Sequence, residues 1–276
     1  DLPVFLMGNA SQTDDAGGHT GVAGDLAFDA GTGNGSGWVP DISFLNDHTG
    51  DDTLSVAFWQ KNRAVGNSSS FWLRSAGSNN GNRGFQAHNP WGGNTIYFDT
   101  SGCCDVDITR INLAITDNPP IDYVDATWWE GWHHFVFVKD GANKTIYIDG
   151  LIFHAGLGDP LPTDFTWGVL GGGQEITQNR MNGMLDDFTI YDGGLTFDQA
   201  ASLAAGNAPD TVPGLLAHWD FDEPLPPDDD PEITSIVLND NGTITVEWTG
   251  GVLEMAPAVD GPYTEVPGAT SPHIIT

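Results

Sequence analysis

Residues 128–153 constrain the fold more than any other stretch of the chain. Trp128-Trp129-Glu130-Gly131-Trp132-His133-His134 runs into Phe135–Val138, an unbroken apolar segment of the kind that forms a strand covered on both faces. Lys139-Asp140-Gly141-Ala142-Asn143 turns the chain into a second strand, Thr145–Ile148. Asp149-Gly150 turns it again, because Gly accepts a positive φ without a Cβ clash and an Asp-Gly pair between β-rich runs favours a two-residue hairpin. Strands joined by turns this short predict an antiparallel meander at the centre of a sheet. His133 and His134 are neighbours on one strand and point to opposite faces, so they do not make a metal pair. The wider composition agrees with an all-β chain: 36 Gly, 17 Pro and 11% aromatics accompany no long helical periodicity.

Trp132-His133-His134, the alternating aromatics that follow and Tyr147-Ile148-Asp149-Gly150 resemble the core signature of laminin-G-like domains in the concanavalin A-like lectin/glucanase superfamily. Gly183-Met184-Leu185-Asp186-Asp187-Phe188-Thr189-Ile190-Tyr191 resembles that family's closing strand, and Thr196–Ala205 its short terminal helix. Thr196 with Gln199 also makes a capping box for this helix, which is expected to stop at Gly206. The resemblance covers roughly the first three quarters of the chain and implies a two-sheet antiparallel jelly-roll sandwich with one short helix. It implies less about function, since this superfold carries lectins, glycosidases, adhesins and structural modules alike.

The stretch Phe85–Ile111 resembles a subset of bacterial laminin-G-like domains with a Pro-Trp loop (Pro90-Trp91), an aromatic strand ending in Asp (Thr95–Asp99) and a Cys-Cys pair (Cys103-Cys104) before Arg110-Ile111. Trp91, Trp128 and Trp129 are candidate loop aromatics that stack on sugar rings, and Asp99 joins them as a candidate ligand-binding residue. Adjacent cysteines have Cα atoms about 3.8 Å apart across a trans peptide, below the usual disulfide range. A vicinal bridge, a reduced pair and bonds to another chain all stay open, with the bridge expected for a secreted protein.

Many domains of the resembled family hold one structural calcium near the sandwich rim. A hard cation of this kind takes six to eight oxygens, and the candidates here are Asp14, Asp15, Asp29, Asp186 and Asp187. Asp186 is favoured, because the resemblance sets it beside the polar, glycine-rich loop Thr13–Gly21. The alternative is that Asp186 or Asp187 only hydrogen-bonds that loop.

Pro3–Met7, Gly24–Asp29, Leu54–Trp59, Phe71–Leu73 and Phe165–Leu170 read as further strands, Asp47–Asp52 as an acidic turn, Ser75–Gly84 as a loop and residues 112–127 as a surface excursion. Leu215–Phe221 reads as a strand placed after the domain should have closed, either an added edge strand or one that pairs elsewhere. The sandwich is thus assigned to residues 1–221. Asp222–Pro231 is a Pro/Asp-rich spacer of at most about 30 Å. Residues 232–276 resemble the first strands of a fibronectin-type-III-like module, of which only 45 residues follow the spacer, where such a sandwich takes about 100. Half a sandwich leaves an apolar face and an unpaired edge, which invites a strand from a neighbouring chain.

Eight Lys and Arg stand against 38 Asp and Glu, a formal net charge of −30. That balance excludes nucleic acid and anionic membrane surfaces as partners, because neither can be met without a basic face. No apolar run approaches a membrane span. The chain opens at Asp1 without an initiator Met or an apolar leader, as a processed secreted chain does and as an excised piece would. A glucanase of this superfamily carries paired carboxylates on alternate residues of one strand, and the seven scattered Glu form no such pair. The expectation is therefore a non-catalytic extracellular or cell-surface module with calcium. Its partners would be copies of itself or neighbouring surface proteins in an assembly, or glycans in an adhesion role; a glycosidase relic is a distant third.

Overall fold

In a computed structural model of the protein, the described residues are 2–77, 83–117, 121–173, 176–223, 232–239, 243–249, 253–256, 261, 264–266 and 269–275. The chain divides into two compact units, Asp1–Leu225 and Pro226–Thr276.

The first unit is an antiparallel two-sheet sandwich. One sheet orders seven strands as β1 (Phe5–Gly8), β4 (Gly35–Val39), β13 (Phe165–Leu170), β6 (Phe71–Ser75), β7 (Arg83–Trp91), β8 (Thr95–Thr100) and β9 (Arg110–Ala114). The other runs β12 (Leu151–Leu157), β11 (Asn143–Ile148), β10 (His133–Asp140), β5 (Thr53–Ala64), β14 (Asn182–Asp192), β3 (Phe28–Thr32) and β2 (Ser11–Gln12). The predicted meander is β10-β11-β12, with Phe135 opposite Ile148 and Tyr147 opposite Ile152.

Alternation along the strands builds the core between the sheets. Phe58 lies at its centre, with ring centroids 5.5 to 5.9 Å from Phe71, Phe135, Phe137 and Phe188. Burying each such ring contributes about 2–3 kcal/mol. Val136, Val138, Tyr147 and Tyr191 point the other way into a second apolar cluster with Leu195, Ala200, Leu203 and Val212. Ala200 and Leu203 belong to α1 (Phe197–Ala204), opened by the Thr196–Gln199 capping box. This second cover explains why residues 135–138 show no polar alternation.

The strand expected at 215–221 is β15 (Leu215–Trp219), which pairs with β14, Phe188 opposite Trp219 and Thr189 opposite His218. Trp219 also donates its indole N–H to the Leu2 carbonyl at 2.8 Å. Of the two expectations for this segment, the added strand of the same sandwich is the one realised. The expected strand Gly24–Asp29 starts four residues later, at Phe28, because the chain before it folds on itself: Gly18 donates to the Asp25 carbonyl at 2.9 Å. The first unit also runs past residue 221. Leu26 N–H donates to Asp222 Oδ1 at 2.8 Å, and Gln12 Nε2 donates to the carbonyls of Phe221 and Glu223. Residues 224–231 of the expected spacer lie outside the described residues, as do 78–82 and 118–120 of the expected loops.

The second unit contains a three-stranded antiparallel sheet of β16 (Glu232–Leu238), β17 (Ile244–Thr249) and β20 (His273–Ile275), and a separate pair β18 (Glu254–Met255) with β19 (Thr264–Glu265). Residues 240–242, 250–252, 257–260, 262–263 and 267–268 of this unit lie outside the described residues. No helix among the described residues is long and apolar enough to cross a membrane.

Candidate ligand-binding site

Phe85, Ala87, Ile96, Phe98 and Ile111 face the core. Their alternating neighbours Gln86, His88, Tyr97, Asp99 and Arg110 therefore share the outer face of the seven-stranded sheet. Register lines them up: Gln86 opposite Asp99, Asp99 opposite Arg110, and His88 opposite Tyr97. Two rows of polar and aromatic groups result, one from three strands and one from two.

Asp99 is the hub, with no solvent exposure. Arg110 Nε donates to its Oδ1 and Arg110 Nη2 to its Oδ2, both at 2.6 Å, while Arg83 Nη1 donates to Oδ2 at 2.9 Å. Both carboxylate oxygens are thus engaged, and two guanidiniums face one carboxylate. Arg83 lies over the Trp72 ring at 5.0 Å and Arg110 over Tyr97 at 4.4 Å, which fixes both planes.

Beside the hub, Arg83, His88, Trp91, Tyr97, Cys104, Arg110 and Asn179 line a hollow of about 170 Å³. His88 and Trp91 rings are 4.4 Å apart, brought together by the chain around a cis Asn89-Pro90 bond. Burial first, and then the Arg83 and Arg110 charges, push His88 down to about 4 against the pull of Asp99, so the imidazole is neutral at physiological pH. Its Nδ1 lies 2.8 Å from Ser69 Oγ. Cys103 and Cys104 are bonded to each other, and Arg110 Nη2 donates to Cys103 Sγ at 3.3 Å. Beneath the row, Gln86 is fully buried and its Oε1 has no hydrogen-bond partner among the described residues. Such a lining offers ring faces, a sulfur face and N–H donors around one small space.

Four of the sequence candidates gather here. Trp91 and Cys104 line the hollow, Cys103 supports it, and Asp99 organises it without reaching solvent. Asp99 was expected among the ligand-binding residues, and its lack of exposure keeps it from a ligand's direct reach. Trp129 is a correction: it is 2% exposed, packed parallel to Phe135 at 6.0 Å within the core, because the short helical turn Ala126–Glu130 rolls it inward. Trp128 stacks on His133 at 3.5 Å and is not among the residues that line the hollow. Arg83, His88, Tyr97 and Arg110 were not singled out from the sequence. The aromatic strand ending in Asp, followed eleven residues later by Arg110, was the signal that pointed to them.

The five carboxylates expected around calcium do not converge. Asp29 pairs with Arg63 at 2.5 and 2.9 Å, Asp187 with His218 at 2.6 Å, and Asp15 accepts from Gly24 N–H at 2.5 Å. Asp14 lines a wider hollow of about 700 Å³ with His19, Asp29, Lys61, Arg63 and Trp132. Asp186 Oδ2 accepts from both the backbone N–H of His19 and its ring, at 2.7 and 2.8 Å, and Oδ1 accepts from Asp187 N–H at 2.8 Å. The His19 ring stacks on Trp59 at 4.6 Å. Among the described residues, the one group whose possible ligand atoms lie within 4.8 Å of one another is His19, Asp25 and Asp186.

A laminin-G family model, described as Concanavalin A-like lectin/glucanases superfamily, matches residues 32–201. No curated protein matches the chain. Among solved structures, the chain is similar to domain 4 of AbnA, a GH43 extracellular arabinanase from Geobacillus stearothermophilus, in complex with arabinotriose. That likeness has a TM-score of 0.51 and 19% identity, over 73% of this chain and 88% of that one. It is also similar to the receptor-binding domain of botulinum neurotoxin mosaic serotype C/D, with TM-score 0.50 and 15% identity over 74% of this chain and 46% of that one. A third similarity is to a structure of botulinum neurotoxin type C, whose cell entry depends upon interaction with two ganglioside molecules. Its TM-score is 0.50 and its identity 17%, over 74% of this chain and 46% of that one. The chain spans less than half of the two toxin chains, and identities of this size show a shared fold.

Proposed function

The chain belongs to the Concanavalin A-like lectin/glucanases superfamily, and from that premise we propose that it is a non-catalytic glycan-binding module whose site is the hollow at Trp91. The observation that carries this is the lining itself. Trp91, Tyr97 and neutral His88 present ring faces beside the disulfide, and fixed N–H donors stand at the side, the combination that holds the apolar face and hydroxyls of a sugar at once. One similar structure holds arabinotriose, a fact about that protein that makes a sugar the first ligand class to try. A glycan array followed by titration calorimetry tests the reading. Binding to at least one glycan that weakens about tenfold or more in Trp91→Ala supports it, since a stacked ring contributes about 1.4 kcal/mol or more. Glycan binding untouched by Trp91→Ala places the site elsewhere.

A second reading is assembly by strand addition in an extracellular setting, through a fibronectin-III-like second unit. Its support is the exposure of Ile236, Val237, Leu238 and Ile274 in that unit. β15 pairs within its own sandwich and so supplies no second joint for this reading. We also propose that calcium binds with the carboxylates of Asp25 and Asp186 as ligands, and equilibrium dialysis against Ca²⁺ with Asp25→Asn as control tests it. Light scattering at increasing protein concentration tests assembly; a monomer throughout removes it.

A further inference from the structure

On the reading of the Trp91 hollow as a sugar site, we propose that it selects a sugar carrying a carboxylate, a uronate or a sialate, with Arg83 as the anion-binding group. Charge is the first ground. The chain as a whole is strongly acidic, with eight Lys and Arg in 276 residues, yet two of these cations meet at one small hollow. They face a single carboxylate, so the hollow holds one surplus positive charge.

Donor count is the second ground. Asp99 accepts from Arg110 at both oxygens and from Arg83 at one, and has no exposure, so it offers a ligand nothing. Arg83 spends only Nη1 on it. Its Nε and Nη2 make no hydrogen bond among the described residues, and its side chain is 16% exposed at the hollow. The charged part of the lining therefore consists of donors without acceptors. A neutral hydroxyl has a proton to give as well as lone pairs to fill, whereas a carboxylate presents acceptors only, and a guanidinium edge matches two of them at once.

Rigidity is the third ground. Arg83 is held by Asp99 on one side and by the Trp72 face at 5.0 Å below, so the free edge is set before a ligand arrives. His88 adds no competing charge, being neutral. The hollow, about 170 Å³, lies below the usual range for drug-sized ligands, which fits one terminal residue of a glycan.

The test is titration calorimetry with three probes: methyl β-D-glucuronoside, its neutral counterpart methyl β-D-glucoside, and the methyl glycoside of N-acetylneuraminic acid. Expected is at least about tenfold tighter binding of one acid than of the glucoside, the size of one charge-assisted pair. Arg83→Gln then brings the acid-to-neutral ratio close to one. Asn179→Asp, which adds a carboxylate at the half-buried rim on a left-handed residue that Asp also tolerates, keeps the test alive if Arg83→Gln fails to fold, and lowers the same ratio. Glucoside bound as tightly as both acids, or an acid preference that survives both variants, overturns the proposal and leaves the sugar site standing. Binding of none of the three overturns this proposal, and the glycan array then decides the sugar reading by itself.

Discussion

Arg110 grips Asp99 with two parallel hydrogen bonds, Nε to Oδ1 and Nη2 to Oδ2, each 2.6 Å long, across the β8-β9 pairing, and the carboxylate has no solvent exposure. Neutralising the carboxylate leaves Arg110 and Arg83 facing each other with no negative charge between them. Asp99→Asn is therefore expected to cost about 3–5 kcal/mol of unfolding free energy, the usual loss when one partner of a buried pair is taken away. Urea denaturation measures it, and a loss below about 1 kcal/mol would show that water reaches the pair freely.

Acid should unfold the sandwich through two histidines. Burial holds both His88 and His134 at about 4, whereas an unfolded histidine titrates near 6.5. Between those values the unfolded chain binds protons that the folded chain refuses, so stability is full above pH 6.5 and is lost as pH falls towards 4. Each site accounts for about 3 kcal/mol across that window. Urea midpoints at pH 4.5 and 7 in His88→Gln and His134→Gln should each show a smaller pH difference than the wild type.

His19 works in the opposite sense. Burial lowers its pKa, but the hydrogen bond to Asp186 and the Asp186, Asp187 and Asp25 charges outweigh that and raise it. Its contribution is present below pH 6.5 and fades as pH rises through the elevated value. Asp186→Ala, which frees the His19 backbone and ring together, is expected to cost about 2–3 kcal/mol at pH 6 and less at pH 9. An equal loss at both values would show that the ring is neutral throughout.

β15 closes the sandwich rather than waiting for a partner. Trp219 is 6% exposed, packs against Phe188 at 5.8 Å and bonds to Leu2. Trp219→Ala is expected to cost about 3–5 kcal/mol, read by thermal or urea denaturation of the isolated chain. A cost near zero would mean that this strand is a free joint.

Much of this fold was legible in the sequence where a pattern is local. The apolar run at 135–138, the Asp149-Gly150 turn and the Thr196–Gln199 cap each carry their structural reason within a few residues, and the structure has all three. The closing strand was legible as well, at 184–191 against β14's Asn182–Asp192. What depends on pairing between distant residues was not. His19 meets Asp186 across 167 positions; the family resemblance set Asp186 beside the Thr13–Gly21 loop, with a hydrogen bond to that loop as one expectation, but no local pattern names His19 as the partner. In the candidate site, Trp91, Asp99 and the cysteines stood out by type, but the roles of Arg83 and Arg110 follow from the registers of β7, β8 and β9. Trp129 was misjudged for a related reason: a single helical turn decides which of two adjacent indoles faces inward, and the sequence context it shares with Trp128 does not.

The most direct measurement is ¹⁹F NMR of protein labelled with 5-fluorotryptophan, titrated with a glycan that binds, with the Trp91 signal identified by Trp91→Phe. Nine of the ten tryptophans lie in the sandwich unit and report on both of its sheets at once. The site described here predicts that the Trp91 signal moves while those of Trp59 and Trp132, beside the His19 loop, stay in place. Movement of Trp59 and Trp132 with a stationary Trp91 would contradict it and transfer the binding site to the opposite sheet.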